Sequence, residues 1–269
     1  MGVKTTAMRI SLLITTYERP DALSAVLRSV ERQSLAPHEV IVGDDGSGPD
    51  TAEAVRSFAD RGCPVRHEWL PHDGFRAGRM RNRAASRSTG DYLVMIDDDI
   101  LLHRDFVADH AAAAESGWFV QGSRALLDAD ASARAIAGQM AWPGFFSGGV
   151  GNRKNLVHSP FLSRMFRGEA PGLRGIRTCN FGVWREDFVK VNGFDEGFVG
   201  WGREDSDFAS RLLNSGVKRR NLRFAGLGCH LHHPPRSRDA LAANDAKLSA
   251  SVDSGLARCE SGLNLHMDE

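Results

Sequence analysis

Short β-rich runs recur through the first hundred residues, at 10–14, 39–43, 65–70 and 92–96, and helical patterns at 21–33, 51–61 and 77–87 fill the gaps between them. A chain with that alternation has few ways to bury its apolar faces. It predicts an α/β fold whose sheet is mostly parallel, with right-handed crossovers and helices on both faces. In open sheets of this kind ligands gather at the carboxyl ends of the strands. Polar residues stand at those ends here: Thr15, Thr16, Tyr17 and Glu18 after the first run, Asp44 and Asp45 after the second, and Asp97, Asp98 and Asp99 after the fourth. Three strand ends therefore meet in one crevice.

Beyond residue 100 the pattern loosens. A helix at 104–116, a strand at 118–121 and a helix at 132–140 are expected, and 143–177, rich in Gly, Pro and Arg, reads as a long loop or lid. A further ordered unit begins at Thr178, with a helix at 204–214 stopped by Gly216 and a strand at 223–226. This predicts one domain over 1–235, with an alternating half at about 9–100 and a looser half at about 101–235, followed by a polar tail at 236–269.

The 34 basic and 34 acidic side chains cancel, so nothing global favours a nucleic-acid partner. Cys63, Cys179, Cys229 and Cys259 are widely spaced, as free thiols in a reducing compartment would be, and a cytoplasmic location is expected. The apolar run at 10–14 is too short for a signal segment or a membrane span. Gly2 with Thr6 matches the loose N-myristoylation pattern, which so few fixed positions meet often by chance.

The run at 92–96 ends in three carboxylates. Strand alternation lets Asp97 and Asp99 face one way while Asp98 faces another. Like charges at the edge of a buried strand are costly without a neutralising cation, and a divalent ion shared with substrate phosphates supplies one. The plain alternative is an acidic turn capping the next helix. Asp45, in the turn Asp44, Asp45, Gly46, Ser47, is a candidate for a nucleoside base or ribose, although Asp-Gly is also an ordinary turn signal. Arg76, Arg79, Arg81 and Arg83 open the helix at 77–87, where a diphosphate could sit, or form a solvated basic face. Trp201, Gly202, Arg203, Glu204 and Asp205 place an aromatic ring beside paired carboxylates at a helix start. One carboxylate there suits proton removal from a hydroxyl, and the ring suits the apolar face of a sugar. His230, His232 and His233 supply imidazoles for Mn²⁺ or another borderline ion.

Together these segments resemble the family 2 glycosyltransferases with the glycosyltransferase A fold: Thr15, Thr16, Tyr17, Glu18, Arg19 and Pro20; Asp44 to Ser47; the Arg-Asn segment at 74–83; and the strand closing on Asp97, Asp98 and Asp99. The carboxyl half, Asn192 to Glu196 with Gly200 to Asp205, looks like the branch holding the β1,4-galactosyltransferases and the chondroitin-polymerase type of bacterial enzymes. The resemblance implies a Rossmann-like nucleotide-binding half, a mixed central sheet and a carboxyl-terminal acceptor-binding half. It further implies that Thr15, Tyr17, Glu18 and Asp45 hold the nucleoside, with Arg81 near the diphosphate. Asp97 and Asp98 would contact the donor, Asp97 meeting ribose or metal. Asp99 would be the firmest ligand for Mn²⁺ or Mg²⁺, with His230 and His233 the better imidazole pair and His232 the alternate. Asn180 and Trp201 would line the donor and acceptor pockets, Asp205 would be the base and Glu204 its neighbour. Arg203 departs from the galactosyltransferase pattern, which has glycine there, and Ser206 interrupts its acidic run.

The reaction so implied is inverting transfer of a hexose or N-acetylhexosamine from a UDP-sugar to a glycan hydroxyl, in assembly of a bacterial surface polysaccharide or lipopolysaccharide. A non-catalytic nucleotide-sugar or glycan scaffold would need no placed base. A sugar nucleotidyltransferase would need a Gly-rich loop with a lysine near the first strand, which the sequence lacks. Residues 153–177 carry Arg153, Lys154, Arg164, Arg167, Arg174 and Arg177 among Phe161, Leu162, Met165 and Phe166. That mixture is a candidate contact for an anionic membrane surface or a lipid-linked glycan acceptor, and equally a solvated lid.

Overall fold

The computed structural model describes residues 8–62 and 64–267. Gly2, Thr6 and Cys63 lie outside them; Cys179, Cys229 and Cys259 are free and buried.

The strands are β1 (Ile10–Thr16), β2 (Glu39–Asp44), β3 (Val65–Trp69), β4 (Tyr92–Asp97), β5 (Ile100–Leu102), β6 (Trp118–Gln121), β7 (Arg124–Leu127), β8 (Val150–Gly151), β9 (Asn180–Trp184), β10 (Lys218–Asn221) and β11 (Gly228–His230). The helices are α1 (Pro20–Glu31), α2 (Pro49–Ala59), α3 (Ala77–Ser86), α4 (Phe106–Ala113), α5 (Ala129–Ile136), α6 (Pro160–Met165), α7 (Arg185–Lys190), α8 (Glu204–Asn214) and α9 (Leu241–Asp253).

The main sheet runs β10-β6-β9-β4-β1-β2-β3. β1 pairs in parallel with both β2 and β4, and β3 joins β2 in the same sense. β9 then lies antiparallel between β4 and β6, which makes the sheet mixed. Alternate side chains of the strands feed two cores, one on each face. Leu12, Ile14, Val40, Val42, Val94 and Ile96 pack with Leu23, Val26 and Leu27 of α1 and Phe58 of α2. Leu13, Ile41, Leu93 and Met95 face Ala84 of α3, Phe188 of α7, and Phe208 and Leu212 of α8. Period-two strands and helical stripes thus agree on one architecture. Pro20 and Pro49 open α1 and α2, where a missing N–H costs nothing.

A smaller sheet, β5-β11-β7-β8, sits beside the main one. β11 pairs antiparallel with β5, His230 opposite Ile100, and carries the late histidines to the turn that follows β4. The strand expected at 223–226 is displaced to β11. Phe224 (φ 60°) and Gly226 (φ 57°) turn the chain there, so those residues form a bend. The helix expected at 132–140 is α5, which starts earlier because Asp128 caps it by accepting from the Ala131 N–H.

The segment 143–177 holds more order than a plain loop: β8, a 3₁₀ turn at Arg153–Leu156, and α6 capped by Ser159. The polar stretch after Pro235 contains α9, which packs on α8, and it ends with Cys259, Leu263 and His266 buried.

Candidate active site

The ends of β1, β2 and β4 are joined by backbone bonds across the crevice: Asp45 N–H donates to Thr16 O, and Asp98 N–H to Thr15 O, both at 3.0 Å. Above them opens a cleft of about 790 Å³. Thr15, Tyr17, Asp45, Arg81, Asp97, Asp98, Asp99, Trp201, Glu204, Asp205, His230 and His233 all line it. Glu18 and Asn180 do not.

On the β2 side, Gly46 makes the turn that presents Asp45. Its φ of +84° suits glycine, and a Cβ there would come within 2.3 Å of the His72 backbone nitrogen. Asp44 serves the turn itself, accepting from Ser47 N–H at 2.9 Å and meeting His67 Nε2 at 2.8 Å. Asp45 faces the cleft with Oδ2 3.3 Å from His72 Nδ1, while its buried Oδ1 has no hydrogen-bond partner. Burial raises its pKa, opposed by His72. The His72 ring stacks on Tyr17 with centroids 4.3 Å apart. Glu18 braces the wall from behind, accepting from Gly48 N–H at 2.8 Å.

At the centre, strand alternation fails to order the three aspartates. β4 ends at Asp97, and the next two residues lie in a turn. Asp98 and Asp99 both reach Arg19 Nη1, at 3.9 and 2.9 Å, whereas Asp97 accepts from Thr15 Oγ1 at 3.1 Å and Arg81 Nη2 at 3.0 Å. Asp98 also accepts from Thr16 Oγ1 at 2.6 Å. Asp99 Oδ2 lies 3.6 Å from His230 Nε2 and 3.3 Å from His233 Nε2, and its buried Oδ1 is unpartnered. The candidate ligand atoms of Asp99, His230 and His233 lie within 4.8 Å of one another, and Asp97 stands outside this group. Burial raises the pKa of Asp98 and of Asp99, and neighbouring carboxylates push both further the same way. Burial, with Arg124 and His233, lowers that of His230 to about 3. Two imidazoles beside a crowded carboxylate with a spare oxygen are a donor set suited to a divalent cation. His232 is exposed, its backbone N–H donating to Ser132 Oγ at 2.7 Å.

Arg81 is not free for phosphate. Its buried guanidinium forks onto Asp97, Glu204 at 3.4 Å and Asp205 at 3.2 Å. Burial works against its charge, but those three carboxylates outweigh the penalty and raise its pKa. Arg81 thus joins the end of β4 to the start of α8. Asp205 is held further by Thr178, through both hydroxyl and backbone N–H. Burial and then Asp205 raise the pKa of Glu204, opposed by Arg81. Negative charge at this helix start is favoured by the α8 dipole.

Just before α8, Gly200 (φ 77°), Gly202 (φ 105°) and Arg203 (φ 77°) are left-handed. Arg203 therefore occupies a backbone conformation that glycine adopts freely, and its side chain is pinned by a salt bridge to Asp245. Asn244 of α9 donates to Val199 O and Gly202 O, steadying the loop that leaves Trp201 39% exposed at the cleft. Asn180 is wholly committed inside the protein. Its Oδ1 accepts from His110 Nε2 at 3.0 Å, and its Nδ2 donates to Ser123 O and Gly226 O. It ties β9 to the bends before β7 and β11 instead of lining a pocket.

The sequence assigns no role in the cleft to Arg19, His72, Arg124 or Thr178. Arg124 lines the cleft, donates to Cys179 Sγ at 2.8 Å and, among the described residues, has no carboxylate in salt-bridge range. Burial lifts the Cys179 pKa to about 12.

The model of glycosyl transferase family 2 matches residues 11–186, more than half of the chain. The chain belongs to glycosyl transferase family 2. A second model, for the N-terminal domain of galactosyltransferase, matches 166–234, which contains Thr178, Trp201, Asp205, His230 and His233. Among curated proteins the family member is 28% identical over 234 residues to validoxylamine A glucosyltransferase of Streptomyces hygroscopicus subsp. limoneus, covering 77% of this chain and 48% of that one. It is 24% identical to the hyaluronan synthase of Pasteurella multocida, covering 77% of this chain and 23% of the synthase. It spans about half the length of the first of these. In fold it resembles S. aureus TarS 1–349 solved with UDP, with a TM-score of 0.65 at 14% identity over 96% of this chain and 68% of TarS 1–349. It also resembles the mannosyltransferase PcManGT of Pyrobaculum calidifontis solved with GDP-Man and Mn²⁺, with a TM-score of 0.61 at 17% identity over 98% of this chain and 70% of that one. The mixed sheet is thus that of the glycosyltransferase A fold.

Proposed function

We propose that the protein transfers a hexose or N-acetylhexosamine from a UDP-sugar to a glycan hydroxyl by a single inverting displacement. The observation that carries this reading is the meeting of two unlike groups in one cleft: a cation-suited cluster of Asp99, His230 and His233, and a carboxylate, Asp205, fixed by Arg81 and Thr178. The unpartnered Asp45 Oδ1 and the Tyr17–His72 stack suit a nucleoside base on the β2 side. Arg124, which among the described residues has no carboxylate in salt-bridge range, suits the diphosphate in the place first expected of Arg81.

Asp99, His230 and His233 would hold Mn²⁺ or Mg²⁺. Such an ion, when bound, neutralises charge on the diphosphate. Asp205 accepts the proton of the acceptor hydroxyl as its oxygen bonds to the anomeric carbon. The bond from that carbon to the phosphate oxygen breaks with its electron pair, releasing UDP. Arg81 fixes the direction of the base, and Glu204 hydrogen-bonds the sugar beside it. Trp201 offers its exposed face to the apolar side of the acceptor ring.

Residues 173–177 line the cleft, and elsewhere in the segment 143–177 Phe146 is 90% exposed, Phe161 71% and Met165 66%, with Arg153, Lys154 and Arg164 also exposed. That mixture fits a peripheral contact at an anionic cytoplasmic membrane face carrying a lipid-linked glycan. Among the described residues no helix is long and apolar enough to cross a membrane.

Release of UDP from a panel of UDP-hexoses, with and without Mn²⁺ and an acceptor glycan, tests the reaction. Acceptor-dependent UDP release with inverted product stereochemistry is expected. Pyrophosphate chemistry in its place, or binding without turnover of any donor in the panel, would refute it. Flotation with anionic liposomes tests the membrane contact, and no lipid dependence would end that part.

A further inference from the structure

A second set of metal-ligating side chains stands away from the cleft. His103 follows β5, Asp105 directly precedes α4, and His158 lies in the connection leading into α6. Each offers one ligand atom, and those atoms all lie within 4.8 Å of one another. None of the three lines the cleft.

We propose that His103, Asp105 and His158 form a second divalent-cation site of zinc type, which pins the basic segment 143–177 to the body of the enzyme. The site is separate from the donor chemistry and does not depend on it.

The outer partners of these residues leave the right atoms available. Ser34 Oγ donates to Asp105 Oδ1 at 2.6 Å, leaving Oδ2, which is 3.8 Å from His103 Nδ1. Two ligands on one tetrahedral zinc are about 3.4 Å apart, so a small inward movement suffices. The same Nδ1 accepts a long 3.3 Å contact from Asp105 N–H, which an ion would replace. Arg104 also approaches Asp105, at 3.7 Å from Oδ1, but its side chain is largely in solvent, where such pairing is weak.

His158 is oriented by a buried acid. Its Nε2 sits 3.1 and 3.0 Å from the two oxygens of Asp109, and Asp109 is anchored in turn by Gly226 N–H at 2.7 Å. An imidazole whose Nε2–H donates to a carboxylate keeps its Nδ1 lone pair, the arrangement that outer carboxylates impose on metal-binding histidines. The His103 and His158 rings lie with centroids 4.5 Å apart, and Trp142 closes the side of His103 edge-on at 5.1 Å. Two imidazoles and one carboxylate suit a borderline cation and leave a fourth position for water. Trp142 directly precedes the segment 143–177 and His158 lies within it, whereas His103 and Asp105 belong to the body. An ion binding all three ligands ties one to the other.

Zinc titration calorimetry on untagged Asp99→Ala protein, whose cleft cluster is disabled, tests the site. One equivalent is expected to bind, and His103→Gln or His158→Gln in that background should weaken binding about 100-fold. Asp105→Asn, which nearly preserves shape, serves beside them, with zinc-free thermal melts of all variants matching the parent. Zinc should also slow tryptic cleavage at Arg153, Lys154 and Arg164. No binding to the Asp99→Ala protein, or binding indifferent to the histidine substitutions, overturns the site. Binding without any change in cleavage overturns the pinning role.

Discussion

His233 Nε2 lies 3.3 Å from Asp99 Oδ2, although the two residues belong to opposite halves of the chain. Strand pairing makes this contact: β11 runs antiparallel to β5, and Leu231 N–H donates to Asp99 O at 2.8 Å. The backbone register, not the side chains, therefore delivers the imidazoles to the aspartate.

Replacing either partner should separate metal-dependent from metal-independent donor binding. Asp99→Ala and His233→Ala are expected to weaken Mn²⁺-dependent UDP binding by at least about 10–100-fold, the scale at which even supporting residues act in metal sites. His232→Ala, at an exposed side chain outside the group, should leave it unchanged. Calorimetry with UDP, with and without Mn²⁺, reads both, and equal effects at His232 and His233 would dismiss the assignment.

Asp205 and Arg81 make a linked pair of expectations. Asp205→Asn should keep donor affinity and lower transfer by about 10²–10⁴-fold, the range of a lost general base. Arg81→Met should be far more damaging to stability. It strands Asp97, Glu204 and Asp205 around a buried position with no counter-charge, a loss of about 3–5 kcal/mol in denaturant unfolding. An Arg81→Met protein of normal stability with weakened UDP binding would restore Arg81 to the diphosphate role.

Arg81 also marks where local reading ends. The βα repeats up to Asp97 were legible because each strand and helix carries its own period and its own turn residues, and the strand-end clusters follow from that topology. The partners of Arg81 lie in α8, remote in sequence, so an arginine at a helix start looked like a phosphate ligand when it was a tie between carboxylates. Asn180 misled in the same way, since its amide is consumed by His110, Ser123 and Gly226, which no local pattern connects. The strand expected at 223–226 slid to β11 because Phe224 takes a left-handed backbone, a choice its sequence does not advertise. Arg203 was noted as a departure from glycine, and its φ of 77° gives that departure a physical meaning.

Arg124 should carry the phosphate role that Arg81 cannot. Arg124→Ala is expected to raise the UDP dissociation constant about 10–100-fold, a charge-assisted hydrogen bond being worth roughly 1.5–3 kcal/mol, with less effect on uridine. Parallel titrations of UDP and uridine check this. An equal loss for both would place Arg124 away from the diphosphate.

His110 sets a pH dependence of stability. It is fully buried beneath Asn180, and burial lowers its pKa to about 4 from an ordinary value near 6.5. The unfolded chain takes up this proton first as pH falls, so between about 6.5 and 4 it binds more protons than the folded one. The stability tied to a neutral His110 is thus complete above pH 6.5 and drains away down to about pH 4, by up to roughly 3 kcal/mol. His110→Gln, which can still donate to Asn180 Oδ1 but cannot titrate, should be less stable at pH 7.5 and lose less on acidification. Urea unfolding of both proteins at pH 7.5, 6 and 5 compares the slopes. Parallel curves would mean that His110 titrates alike in the folded and unfolded chains and that its burial has no such consequence.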